Sequence, residues 1–293
     1  MLLILRSVGE LPMRNGTVSG TSTISSTSSA VLDQALRHDR LVVSAALVSI
    51  ASLAWWYLLS GAGMGMSAAD MTRMIYGDHS VMSPGLLMAP AIWTPRYAVL
   101  MFLMWWIMMI AMMLPSAASV VLLAAAINRG NAPESPPFGR TQGFLLGYLL
   151  SWAAFSVLAT IAQWILQQLG LLSAMTLHIP DKRVGGVLLV LAAIWQITPY
   201  KHACLARCRS PAARLVAGRG RPALLAGLGH GTYCVGCCWM LMALLFAGGV
   251  MNLFWVAGLG ALVLAEKLLP QGLAVVYLVA GALVLTGIFM IVC

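Results

Sequence analysis

Apolar stretches of helical length, separated by short polar connections, run through most of the chain. Crossing a hydrocarbon layer of ~30 Å takes about 20 apolar helical residues. On that measure the pattern predicts helices over residues 41–60, 97–127, 143–169, 184–198, 223–247, 250–265 and 272–292, the fourth and sixth being short. The expected fold class is all-α: a polytopic transmembrane helix bundle of about seven helices, occupying residues 41–293. Residues 1–40 read differently. Thr17 to Ser29 are nearly all Ser, Thr and Gly, a composition that cannot bury enough apolar surface to order itself. A disordered Ser/Thr-rich cytoplasmic tail is expected there. Met1 to Leu5 is too short for a signal-peptide core and has no basic segment before it, and Met13 is an alternative start.

The connections add detail. The first, 61–96, carries Pro84, Pro90 and Pro95 with Asp70, Asp78 and His79, and is placed on the outer face. Gly143 with Gly147, and Gly227 with Gly231, have the small-xxx-small spacing that lets helix backbones approach. In a chain with 28 glycines such spacing arises often by chance, so it carries little weight. No internal repeat of the kind found in many secondary transporters is visible.

Composition explains why lipid is the expected partner. With 61% hydrophobic and 9% charged residues, and a mean hydropathy of +0.91, there is too little polar surface to clothe a soluble globule. The net charge of +9 would suggest nucleic acid in a soluble domain, but the basic residues gather at helix ends, so no nucleic-acid partner is expected. With the tail cytoplasmic, the cytoplasmic connections hold 13 Lys and Arg and the outer ones 4. The positive-inside rule then gives a multi-pass inner (plasma) membrane protein with its N-terminus cytoplasmic and its C-terminus outside.

Cysteine placement introduces chemistry. Five of the six cysteines lie within 35 residues, at 204, 208, 234, 237 and 238, with Cys293 at the end. A small secreted disulfide scaffold would spread them through loops. In the fifth helix, His230, Cys234 and Cys237 fall within an arc of roughly 60°, and Cys238 lies about 40° beyond Cys234, at about 100° per residue. Such a stripe of soft or borderline ligands suits a metal ion, although free cysteines also pack as small apolar residues. In the second helix, Met101, Met104, Met108 and Met112 form a stripe of their own. Met108 to Met113 lie roughly 17 to 24 Å from the outer end of their helix, and Cys234 to Cys238 roughly 14 to 20 Å from theirs, at 1.5 Å per residue. Both sets are thus expected near the bilayer middle, with Met108 and Met112 as candidate ligands. Pro115 frees a carbonyl one turn earlier, near Ala111.

The connection between the fourth and fifth helices adds His202, Cys204 and Cys208. If helical, Cys204 and Cys208 face the same way, and Arg207 and Arg209 beside them would favour thiolate. A basic membrane-surface loop with incidental cysteines is the alternative. His79 and His178 are expected in outer loops, solvated. Glu266 and Lys267 read as the cytoplasmic end of the sixth helix, and Glu266, if buried, becomes a functional candidate. Thiolates and thioethers together select Cu(I); zinc, which has little use for Met, is the weaker candidate.

Three segments resemble a bacterial family of predicted metal-binding integral membrane proteins. They are Met112-Met113-Leu114-Pro115-Ser116, the stretch from Gln196 to Pro211 with its two cysteines, and Gly229 to Lys267. The last includes His230, Cys234-Val235-Gly236-Cys237-Cys238-Trp239, Gly249-Val250-Met251-Asn252 and Glu266-Lys267. The resemblance covers most of the chain from the second helix onward. It implies a membrane location and a metal, and leaves substrate, direction and partners open.

Three functions fit these residues. The first is Cu(I) handling, either transport across the inner membrane or delivery from it to a metallochaperone or a metalloenzyme under assembly. The second is a membrane thiol-disulfide oxidoreductase using Cys234 and Cys237. The third is a structural membrane subunit whose cysteines pack. No phosphate-binding Gly loop or nucleotide fingerprint occurs, so ATP-driven pumping by this chain alone is not expected.

Overall fold

Because the apolar runs carry no interruption strong enough to stop a helix, they fold as helices, and the described residues of the computed structural model contain no strand. Those residues are 24–61, 68–75, 93–131, 138–173, 177–212, 215, 222–269 and 272–293. The helices are α1 (Ile24–Leu59), α2 (Ala68–Ile75), α3 (Pro95–Asn131), α4 (Phe138–Gln168), α5 (Lys182–Gln196), α6 (Pro199–Arg209), α7 (Ala223–Ala243), α8 (Leu245–Gly248), α9 (Leu253–Leu268) and α10 (Gly272–Val292).

Most predicted spans have a counterpart, with corrections at the short ones. Five helices are long and apolar enough to cross a membrane: Arg40–Leu59, Pro95–Ile127, Gly139–Gln168, Ala223–Gly248 and Ala274–Val292. α5 and α9, with 15 and 16 residues, fall short of the expected full spans. α5 and α6, bent by 64° at their junction, make a sixth crossing if the pair is one broken span. Thr198 sets that bend: its side chain accepts a hydrogen bond from the Lys201 backbone N–H as the cap of α6, with Pro199 in the first turn. The connection expected as a loop is therefore a capped helix. α1 begins earlier than expected, taking in the Ser/Thr run from Ile24. No Gly or Pro follows Ile24 in that stretch, and a helix anchored at one end gains one hydrogen bond per added residue. The rest of the expected tail, and His79, lie outside the described residues.

The helices pack in pairs: α4 most extensively on α7, α5 on α10, and α1 on α3, with α3 also against α4 and α9, and α6 against α7. The glycine spacings decide the closest pair. A Cβ at Gly227 would collide with the Phe144 carbonyl, one at Gly147 with the Leu224 carbonyl, and one at Gly231 with the Ser151 side chain. The motifs given little weight in the sequence are thus the surface on which α4 and α7 meet. Gly186 and Gly287 play the same part between α5 and α10.

Pro115 sits inside α3, and the carbonyl it leaves without a helical donor, that of Ala111, accepts the Trp55 indole N–H of α1 at 3.2 Å. At the α8–α9 turn, Gly249 adopts φ 91°, open to glycine alone, and Asn252 then caps α9 by accepting from the Trp255 N–H.

The outer surface is apolar: Phe254, Leu278 and Leu285 are each about three-quarters exposed. The interior holds the methionines of α3 together with the cysteines of α6 and α7 in one cluster.

Replacing Gly227 by Val should destabilise the bundle by about 1–3 kcal/mol through overpacking against Phe144. Gly229→Val, where a Cβ meets nothing, should cost far less. The midpoints of detergent-induced unfolding would separate the two.

Candidate metal centre

The α7 stripe is buried and central. Cys234, Cys237 and Cys238 are at most 2% exposed and lie in the middle third of Ala223–Gly248. The two later thiols turn back onto their own helix, Cys237 Sγ donating to the Cys234 carbonyl at 3.1 Å and Cys238 Sγ to the same carbonyl at 2.9 Å. Cys208, the one buried cysteine of α6, belongs to the same buried cluster as Cys234 and Cys237. Cys204 lies beside them, its sulfur against Gly236, where an added Cβ would come within 3.0 Å. The two cysteine groups read separately from the sequence therefore form one cluster at the α6–α7 contact.

Other sequence candidates sit at varying remove. His230 is one turn before Cys234, and its ring lies against those of Tyr148 and Phe144, at 5.9 and 6.0 Å. Met108 and Met112 are buried in the apolar cluster that also holds the cysteines. His202 packs its ring against Tyr277 at 5.9 Å, and its buried Nε2 finds no hydrogen-bond partner among the described residues. His178, expected to be solvated, is partly buried, and that burial lowers its imidazole pKa. Arg207 stacks over the Tyr233 ring at 5.0 Å, and Arg209 donates to the Leu269 carbonyl. Lying over that ring, Arg207 still acts electrostatically on the Cys204 thiol in the sense expected of it.

The cation against the thiols is Lys267. Its Nζ lies 2.9 Å from Cys234 Sγ and 3.2 Å from Ser116 Oγ of α3. The Tyr148 hydroxyl of α4 is 3.2 Å from the same sulfur and also reaches the Met113 carbonyl at 3.3 Å. One sulfur of α7 is thereby approached from α4 and α9. Glu266, expected at a helix end facing water, is 1% exposed. It accepts from Lys201 Nζ at 2.7 Å and from Gln196 Nε2 at 2.9 Å. Lys201 is itself fully buried, so this is a buried ion pair fixing α6 to α9. Tyr148, Ser116, Lys201 and Lys267 were not among the sequence candidates. Tyr148 stood in an apolar run, whereas Lys201 and Lys267 lay just outside the predicted spans, where lysine is ordinary.

Among the described residues, no three His, Cys, Asp or Glu side chains already surround a common point as ligands would. In this arrangement the Cys237 and Cys238 thiols face the Cys234 carbonyl. The side chains gathered here are soft sulfur donors, which fit a soft cation better than a hard one.

A family model described as PpoB2, copper chaperone, matches residues 102–290, a stretch containing every residue of this cluster. No curated protein and no solved structure matches the chain.

Lys201→Met should lower stability by about 3 kcal/mol or more, since it leaves Glu266 buried without its cation. The Lys201→Met, Glu266→Leu double variant should recover most of that loss. Unfolding midpoints of the three proteins in detergent provide the check.

Proposed function

The chain belongs to the PpoB2 copper chaperone family, and from that membership we propose that it is an integral membrane protein that binds Cu(I) at the α6–α7 cysteine cluster and hands it on. Cys208, Cys234 and Cys237 are the primary ligands, with Cys204 and Cys238 as neighbours able to exchange with them. His230 and His202 flank the cluster. Met108 and Met112 of α3, buried in the same apolar cluster, supply thioethers for transfer between sites. Thiolate and thioether donors favour Cu(I) over zinc. The observation that carries this reading is the gathering of buried thiols from two separate helices beside an ammonium group.

The membrane placement rests on five helices of crossing length and an apolar outer surface. Residues 41–293 form the membrane domain, and the Lys and Arg distribution favours a cytoplasmic N-terminus in the inner (plasma) membrane. The recipient is a metallochaperone or a metalloenzyme under assembly, receiving the ion by exchange of thiol ligands.

Two other readings fit less well. A thiol-disulfide oxidoreductase acting on proteins needs an accessible sulfur, and Cys234 and Cys237 are 1% and 2% exposed. A purely packing role for the cysteines does not account for a lysine ammonium at 2.9 Å from one of them.

The test is copper content after anaerobic Cu(I) loading and desalting of the purified protein. Wild type should retain copper, and the Cys234, Cys237 and Cys238 triple Ala variant should retain none. Equal retention by both would remove the site from α7.

A further inference from the structure

The Lys267 ammonium occupies a position that bears on which ion the cluster prefers. It touches Cys234 Sγ at 2.9 Å, and Ser116 Oγ at 3.2 Å holds it beside the cluster. Of the other cations nearby, Lys201 is paired with Glu266, Arg209 donates to the Leu269 carbonyl, and Arg207 lies over the Tyr233 ring on the Cys204 side. A thiol binds a metal as thiolate, losing its proton. A given set of thiolates around a monovalent ion therefore carries one more negative charge than the same set around a divalent ion. In a buried, apolar site that extra charge is costly unless a fixed cation stands next to it.

From this we infer that Lys267 is the counter-ion that makes the cysteine cluster select a monovalent soft cation, Cu(I), over a divalent one such as Zn(II). The inference rests on the copper reading of the same cluster. Lys267 is a specificity-determining residue here and not a ligand, since an ammonium has no lone pair to give. Its position follows from α9, whose last turn brings the side chain inward to α3 and α7 while the preceding residue, Glu266, reaches α5 and α6. Removing the charge weakens both complexes, and weakens the Cu(I) complex more because it is the more negative.

The experiment measures Cu(I) and Zn(II) dissociation constants at one fixed pH, by chelator competition, on the full chain in detergent. The proteins are wild type, Lys267→Arg, Lys267→Gln and Lys267→Leu. The preference for Cu(I) over Zn(II) should fall about tenfold or more in the two neutral variants and stay within about threefold of wild type in Lys267→Arg. Either neutral variant that keeps its helical content decides the matter. An unchanged preference in such a variant, with wild type binding Cu(I), overturns the counter-ion role and leaves the copper site standing. Wild type that binds no Cu(I) overturns both.

Discussion

Two adjacent residues of opposite charge at the end of α9 tie the interior together. Glu266 takes its partners from α5 and α6, through Gln196 and Lys201, and Lys267 takes its own from α3 and α7, through Ser116 and Cys234. In an apolar bundle each of these charges would be prohibitive alone. Satisfied in opposite directions, they fix the register of four helices against a fifth. The cysteine cluster shares that frame: Lys201 ties α6, the helix of Cys208, to α9, while Arg207 lies over Tyr233 of α7.

The consequence is a site with strength and compliance in different places. The backbone frame is close-packed, glycine against carbonyl between α4 and α7, and leaves little room for sliding. The thiols are held more loosely, two of them by a single carbonyl that a metal would outcompete. In the proposed copper role that division would let ligands exchange within a close-packed helical frame.

Features set by local periodicity were legible in the sequence. The long spans and the single face carrying Cys234, Cys237 and Cys238 follow from 3.6-residue spacing, and Pro115 identified the carbonyl of Ala111 as the one set free. Partners distant in the chain were not legible. Trp55 reaches that carbonyl across 56 positions, Tyr148 reaches Cys234 across 86, and Gln196 reaches Glu266 across 70. Nothing local specifies such distances. Glu266 and Lys267 resembled an ordinary helix end because α9 is too short to reach across a bilayer, a fact fixed by the turn at Gly249 and Asn252 and not by its own composition. The glycine motifs had the right spacing all along, but only helix pairing separates a close approach from chance.

The most direct test of copper bound between α6 and α7 is X-ray absorption at the copper edge on the Cu(I)-loaded protein, wild type beside Cys208→Ala. A first shell made of sulfur that loses one sulfur in the variant is the expected result. A shell of nitrogen or oxygen, or a sulfur shell unchanged by loss of Cys208, would contradict it.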